Sequence, residues 1–276
     1  MEERFQNSPE ETMQMHTETL RSKFLCSNMM VDDRVKLVYS HYDRMIIGGI
    51  KPVTNSIALP NPGELKANYF LERRELGIIN LGGDGEVTTD AGSFQLSKLD
   101  CLYIGKENET VTFKSMDTST PAMFYLLSCP AHCTYPTIKI SKENASPLAL
   151  GDVATSNKRV IYKYIHDNGA ASCQLVMGLT ILEGGSVWNS VPPHTHTRRM
   201  ETYFYFDVPA EQKVFHFMGE PQQTRHIVTG NYEAILSPPW SVHFGCGTSS
   251  YGFIWGMAGE NKEFADMDVA EVMKLR

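Results

Sequence analysis

Four side chains in the second half of the chain have the types and spacing to hold a divalent metal. His194 and His196 are separated by one residue, and Glu201 follows His196 by five positions. Side chains two apart in an extended chain point the same way, so both imidazoles project from one face of a strand. Five residues are enough for the chain to bend and bring the Glu201 carboxylate back toward the same point. Pro192 and Pro193 fix the backbone ahead of the pair and exclude a helix there. A third imidazole, His243, ends the downstream run Ser-Pro-Pro-Trp-Ser-Val-His. Three imidazoles and one carboxylate suit zinc, iron or manganese, with room left for water or substrate. A His-x-His pair alone is more often a surface or hydrogen-bonded feature. The added Glu and the second His-bearing segment are what favour ligation.

The neighbours of these residues narrow the chemistry. Glu201, Tyr203 and Tyr205 share one face of their strand, and Thr202, Phe204 and Phe206 share the other. If Glu201 binds metal, Tyr203 and Tyr205 border the same pocket, where Tyr203 is the candidate proton relay. Core packing would account equally well for either tyrosine. Arg198 and Arg199 sit between two ligands, close enough along the chain for one to clamp a carboxylate in bidentate fashion. A solvated arginine on a loop is the plainer alternative, and Arg225 is a weaker second candidate. Such a metal can polarise a carbonyl and its neighbouring hydroxyl together, easing an enediol intermediate, or it can activate water or dioxygen. Spacing leaves isomerase, hydrolase and dioxygenase open.

The rest of the chain must supply a scaffold for that stretch. At 276 residues it is long enough for two domains or one large β assembly. A net charge of −7 argues against a nucleic-acid partner, so an anionic substrate would need local Arg or Lys. The N-terminus lacks the apolar core of a signal peptide, and no apolar run is long enough for a membrane span. Six scattered cysteines are too sparse for a disulfide scaffold and fit a reducing cytoplasm. Cys129, His132 and Cys133 are the one local cluster hinting at structural zinc, with too few ligands to make it convincing.

Residues 9–25 read as one helix, capped by Ser8, opened by Pro9 and buried along Met13, Leu20 and Phe24. From Glu64 to Phe113 short β-rich runs alternate with Gly- and Asp-containing turns, the rhythm of a sandwich or barrel. Residues 147–158, polar and turn-rich, are the expected linker, and the same rhythm resumes after them. Two tandem β barrels are therefore expected, residues 1–150 and 151–276, with short terminal helices, the last over 266–276. Only the second contains His-x-His and should hold metal.

Two stretches resemble the cupin motifs: Gly185…His194-x-His196-x4-Glu201 and Pro238-x-Trp240-x-x-His243. A Trp stands where that pattern usually has Gly. Longer strings, among them Tyr39-Ser-His-Tyr-Asp-Arg-Met-Ile-Ile-Gly-Gly-Ile-Lys-Pro-Val, Glu72-Arg-Arg-Glu-Leu-Gly-Ile-Ile-Asn, Pro130-Ala-His-Cys-Thr-Tyr-Pro-Thr, and the stretches around His194 and His243, are similar to the 5-keto-4-deoxyuronate isomerase family over nearly the whole chain. Cys129 and Cys133 depart from it. The resemblance implies an all-β bicupin of two jelly-roll domains, a homohexamer, and one zinc per subunit on His194, His196, Glu201 and His243. It also implies an aldose–ketose isomerase that interconverts 5-dehydro-4-deoxy-D-glucuronate and 3-deoxy-D-glycero-2,5-hexodiulosonate, after lyase cleavage of pectin or glycosaminoglycans. The alternatives are the 5-deoxy-glucuronate isomerase of inositol breakdown, a cupin dioxygenase, and a non-catalytic sugar-binding cupin.

Overall fold

Short apolar alternations punctuated by Gly, Pro and Asp become strands nearly everywhere they occur. The computed structural model describes residues 1–260, 263 and 266–276. It divides into two units. The first comprises Met1–Glu3, Asn28–Ala145 and Tyr164–Val176, and the second Arg4–Ser27, Ser146–Lys163 and Met177–Arg276. A single cut at 150 is thus too simple, because composition marks turns but not the sheet that a strand joins. Leu25–Cys26 pairs with Glu233–Ser237 and so belongs to the second unit. The segment around Cys173 belongs to the first, where the buried Glu75 carboxylate accepts the backbone N–H of Cys173, Gln174 and Leu175 at 2.7, 2.9 and 2.8 Å. The expected linker is itself ordered, since Ser146–Leu150 is a strand paired with Arg159–Ile165.

In the first unit a seven-stranded sheet runs in the order Glu2–Arg4, Val35–Ser40, Ile46–Ile50, Phe124–Pro130, Arg74–Asn80, Cys101–Ile104, Ile138–Ile140. A four-stranded sheet runs Ile57–Ala58, Val111–Ser115, Gly85–Thr89, Gly92–Leu96. Ile46, Ile78, Leu102 and Leu126 from the larger sheet join Val87, Val111 and Phe113 from the smaller in one buried cluster. Burial of each such side chain stabilises by roughly 1.5–3 kcal/mol.

The second unit repeats this plan. Its large sheet runs Ser146–Leu150, Arg159–Ile165, Val176–Leu182, Gly252–Gly259, Arg199–Phe206, Glu233–Ser237, Leu25–Cys26, and its small one Trp188–Asn189, Phe244–Gly247, Val214–Glu220, Gln223–Thr229. The fold is all-β, and each unit is a jelly roll of two separate sheets rather than a closed barrel. Arg199–Phe206, buried throughout, lies between Gly252–Gly259 and Glu233–Ser237.

The helices are shorter than expected. Ser8 caps Pro9–Met13 as read, its hydroxyl accepting the Glu11 N–H at 3.1 Å and the Glu11 carboxylate accepting the Ser8 N–H at 2.7 Å. The chain then breaks and restarts at Thr17–Phe24, which buries Leu20 and Phe24, while Met13 stays exposed. In place of the helix expected over 266–276 there is a strand, Asp268–Val269, and a 3-10 turn, Val272–Lys274. Pairing of Asp268–Val269 with His194–Thr195 accounts for that change. No helix among the described residues is long and apolar enough to cross a membrane.

Candidate metal centre

His194, His196, Glu201 and His243 meet at one point in the second unit, with one ligand atom from each lying within 4.8 Å of the others. Three local features bring them there. The two-residue strand His194–Thr195 presents the first imidazole, and the turn after it carries His196, whose N–H donates to the Pro239 carbonyl at 3.3 Å. Glu201 enters from the central strand opposite Ser237 and Met257. His243 comes from the segment leading into Phe244–Gly247. The His243 Nε2 lies 3.1 Å from Nε2 of both His194 and His196, and Glu201 Oε2 lies 3.0 Å from Nε2 of His196 and of His243.

The electrostatics and the hydrogen bonds behind the rings fit a divalent cation. Burial pushes the His194 imidazole down to about 3 and lowers His196 as well. Burial alone would raise Glu201, but His243 and His196 beside it hold its carboxyl well below the usual range. Neutral imidazoles and an ionised carboxylate are the forms that ligate. His243 Nδ1 lies 3.2 Å from the Ser241 carbonyl. A proton placed there leaves the Nε2 lone pair for an ion. The His196 Nδ1 has two neighbours, the Asp266 carbonyl at 3.3 Å and Arg199 Nε at 3.1 Å. Only the first suits Nε2 ligation.

His194, His196 and Glu201 form one wall of a cavity of about 190 Å³. Its other polar side chains are Arg159, Thr180, Ser190 and Tyr203, set among Ile161, Phe253, Trp255 and Met257. Tyr203 therefore stands where the strand's alternation predicts. Its hydroxyl is 2.7 Å from Ser190 Oγ, and burial followed by the Glu201 charge keeps it a neutral phenol. Tyr205 lies deeper, its hydroxyl 2.7 Å from His216 Nδ1 and away from the cavity lining. His216 Nε2 is buried and has no hydrogen-bond partner among the described residues. A Cβ on Gly245 would fall 2.8 Å from Asn189 Nδ2 and 3.2 Å from the Tyr205 hydroxyl, so this polar interior needs glycine there.

The arginines are placed differently from expectation. Arg198 is exposed, lies 3.4 Å from Asp266 and borders a different cavity, formed by residues 196–199 with Asp266 and Asp268. Arg199 is buried, donating to the carbonyls of Glu263 at 2.7 Å and Asp266 at 3.2 Å. Adjacency in the chain puts its guanidinium behind the His196 ring, not in front of it. The cation in the cavity is Arg159, on a strand 35 residues before His194, with no local signal to mark it. Arg225 instead donates to the carbonyls of Thr12 and Met13 at 3.1 and 2.8 Å and ties down the first helix. In the first unit His132 and Cys133 come together with Cys173, whereas Cys129 Sγ lies 3.3 Å from Glu75.

Residues 25–273 match the KduI/IolB family. The chain is 51% identical over 275 residues to a 4-deoxy-L-threo-5-hexosulose-uronate ketol-isomerase of Formosa agariphila, covering 100% of this chain and 98% of that protein. It is 51% identical over 264 residues to the Escherichia coli O157:H7 protein of the same name, covering 95% of each. Among solved structures, an IolB-like protein from Salmonella typhimurium LT2 superposes with a TM-score of 0.70 at 14% identity, over 87% of this chain and 94% of that one. The oxalate decarboxylase of Bacillus subtilis, a protein with Mn(II) centres, gives 0.57 at 11% identity, over 81% and 71%. These two likenesses concern the fold alone. Full-length identity of about half and the family match lead to one conclusion: this chain is a member of the KduI/IolB family.

Proposed function

We propose that the protein is a metal-dependent ketol-isomerase interconverting 5-dehydro-4-deoxy-D-glucuronate and 3-deoxy-D-glycero-2,5-hexodiulosonate. One observation carries the reading: three of the four clustered donors, His194, His196 and Glu201, border a single small cavity with one guanidinium and one neutral phenol, and the ligand atom of the fourth, His243, lies within 4.8 Å of theirs. The names of the full-length relatives supply the substrate.

The reaction moves hydrogen between adjacent carbons of one molecule, so carbonyl and hydroxyl exchange places and no external oxidant is needed. A divalent cation held by His194, His196, Glu201 and His243, proposed as one zinc per subunit, would polarise the carbonyl and its neighbouring hydroxyl. Arg159 binds the substrate carboxylate, taking the part that spacing had suggested for Arg198 or Arg199. Its burial lowers its pKa, but an arginine keeps its charge at neutral pH. Tyr203, steadied by Ser190, donates a hydrogen bond to a substrate oxygen as charge develops there. Phe253, Trp255 and Met257 limit water around the reacting carbons.

The metal is assigned to the second unit and a metal-free cupin-like role to the first. A homohexamer in the cytoplasm, acting on uronates released from pectin, completes the proposal. A second reading, the 5-deoxy-glucuronate isomerase of inositol breakdown, draws on the IolB half of the family name.

The test is isomerisation of the unsaturated uronate from a pectin lyase digest, before and after chelation, in parallel with 5-deoxy-glucuronate. Turnover of the first, lost on chelation and restored by zinc, is expected. Turnover of only the second would transfer the chain to the other branch, and oxygen consumption would make it a dioxygenase.

A further inference from the structure

The strand Arg74–Asn80 holds in the first unit the place that Arg199–Phe206 holds in the second, fifth in the order of a seven-stranded sheet. Its core-facing residues Leu76 and Ile78 are apolar, so this unit's interior has no counterpart of Glu201 and Tyr203. One of its ends is Arg74, which borders a cavity of about 440 Å³ shared with Tyr39, His41, Arg44, Arg73 and Glu64.

Arg74 is 7% exposed, and none of the described residues pairs a carboxylate with it. Its Nε donates to Ser128 Oγ at 3.1 Å, and its Nη2 to the carbonyls of Ser128 and Arg44 at 2.8 and 2.6 Å. These bonds fix the guanidinium plane. Among the described residues Nη1 makes no hydrogen bond, and Arg74 lines the cavity. A buried guanidinium without a counter-ion is electrostatically incomplete. Burial pushes it down to about 10, the sign of a charge that would gain from an anion. The exposed Arg44 and Arg73 add positive potential at the rim.

We propose that this cavity is a second, metal-free binding site, for a hydroxylated monocarboxylate of the sugar-acid class. Arg74 takes the carboxylate, with Arg44 reinforcing it. The carboxylates at the cavity distinguish this ligand from phosphate. Glu3, 2.9 Å from His41, and Glu64, 2.8 Å from the Met1 ammonium, repel a dianion but accept hydrogen bonds from sugar hydroxyls. The Tyr39 and His41 rings, 5.1 Å apart and edge-on, offer a wall for the ring of such a molecule.

The experiment is hydrogen exchange on the full-length protein with D-galacturonate, D-galactose or inorganic phosphate. Galacturonate is expected to protect amides of residues 39–44 and 64–74, with galactose ineffective and phosphate weaker by about tenfold. Arg44→Glu, an exposed change that spares the Arg74 bonds to backbone, should weaken that protection by about tenfold while leaving residues 188–203 as in the parent. Arg74→Met should abolish it, and if that variant does not fold, Arg44→Glu decides. Protection that is absent, equal with phosphate, insensitive to Arg44→Glu, or confined to residues 188–203 would overturn the proposal. The outcome is independent of whether the second unit isomerises uronates.

Discussion

The Tyr203 hydroxyl and Ser190 Oγ lie 2.7 Å apart on the wall of the cavity that His194, His196 and Glu201 face. A buried phenol held this way is pre-oriented and protonated, suited to donating toward developing charge. Tyr203→Phe should lower kcat by about 10²-fold, within the range for a positioned proton donor, with KM little changed. Ser190→Ala should lose less, because it frees the phenol without removing it. Steady-state kinetics on both variants check this, and an unchanged kcat in Tyr203→Phe would end the role.

Arg159 and Arg198 make opposite predictions. Arg159→Met should raise KM for the uronate by about tenfold or more through loss of a charge-assisted contact. Arg198→Ala, in an exposed side chain paired with Asp266, should leave both constants unchanged. A raised KM in Arg198→Ala alone would restore the assignment suggested by chain adjacency.

Metal content follows the donor set. Glu201→Gln or His243→Ala should reduce bound zinc, measured by elemental analysis after dialysis, to well below one per chain. Chelation of the parent should lower its melting temperature, since an ion that binds only the folded form stabilises it. Full occupancy in both variants would place the ion elsewhere.

Glu75 offers a test outside that centre. Its carboxylate accepts three backbone N–H groups and the Tyr103 hydroxyl at 2.8 Å. Glu75→Gln leaves some of these donors buried without an acceptor and should cost about 2–4 kcal/mol in urea unfolding. A shift under about 0.5 kcal/mol, the scatter of surface substitutions, would show the anchor to be dispensable.

Asp33 sets part of the acid limb. The Thr54 N–H and hydroxyl and the Val53 N–H hold its carboxyl down from 3.8 to about 2. A depressed acid stabilises fully above its unfolded value, and that contribution fades as pH falls through the folded one. Asp33→Asn should therefore flatten the decline in melting temperature between about pH 4 and pH 2. Parallel curves for parent and variant would contradict this.

How much of this was legible beforehand follows from the range of each interaction. His194, His196 and Glu201 could be grouped because strand alternation and a short turn are local geometry. His243 was reachable through its Pro-Pro-Trp setting, and Tyr203 through its parity with Glu201. Ser8 as a cap, likewise, needs only four consecutive residues. Arg159 was invisible because its role depends on which strands become neighbours: Arg159–Ile165 joins the same sheet as Arg199–Phe206 without any sequence proximity. Arg198 and Arg199 misled for the complementary reason, since being next to a ligand in the chain says nothing about which side of its ring a side chain reaches.

The sequence by itself therefore pointed to the all-β rhythm, the grouping of His194, His196 and Glu201, and the parity of Tyr203 with Glu201, all of which rest on periodicity and spacing within a few residues, while His243, 42 positions after Glu201, was reached only through the motif around it. Tertiary structure alone decided that segment 4–27 joins the second unit and 164–176 the first, that the tail pairs with His194–Thr195, and that the buried Arg159 and Arg74 each face a cavity. Those outcomes depend on long-range strand pairing and on the desolvation of single charges, which no local window of residues encodes.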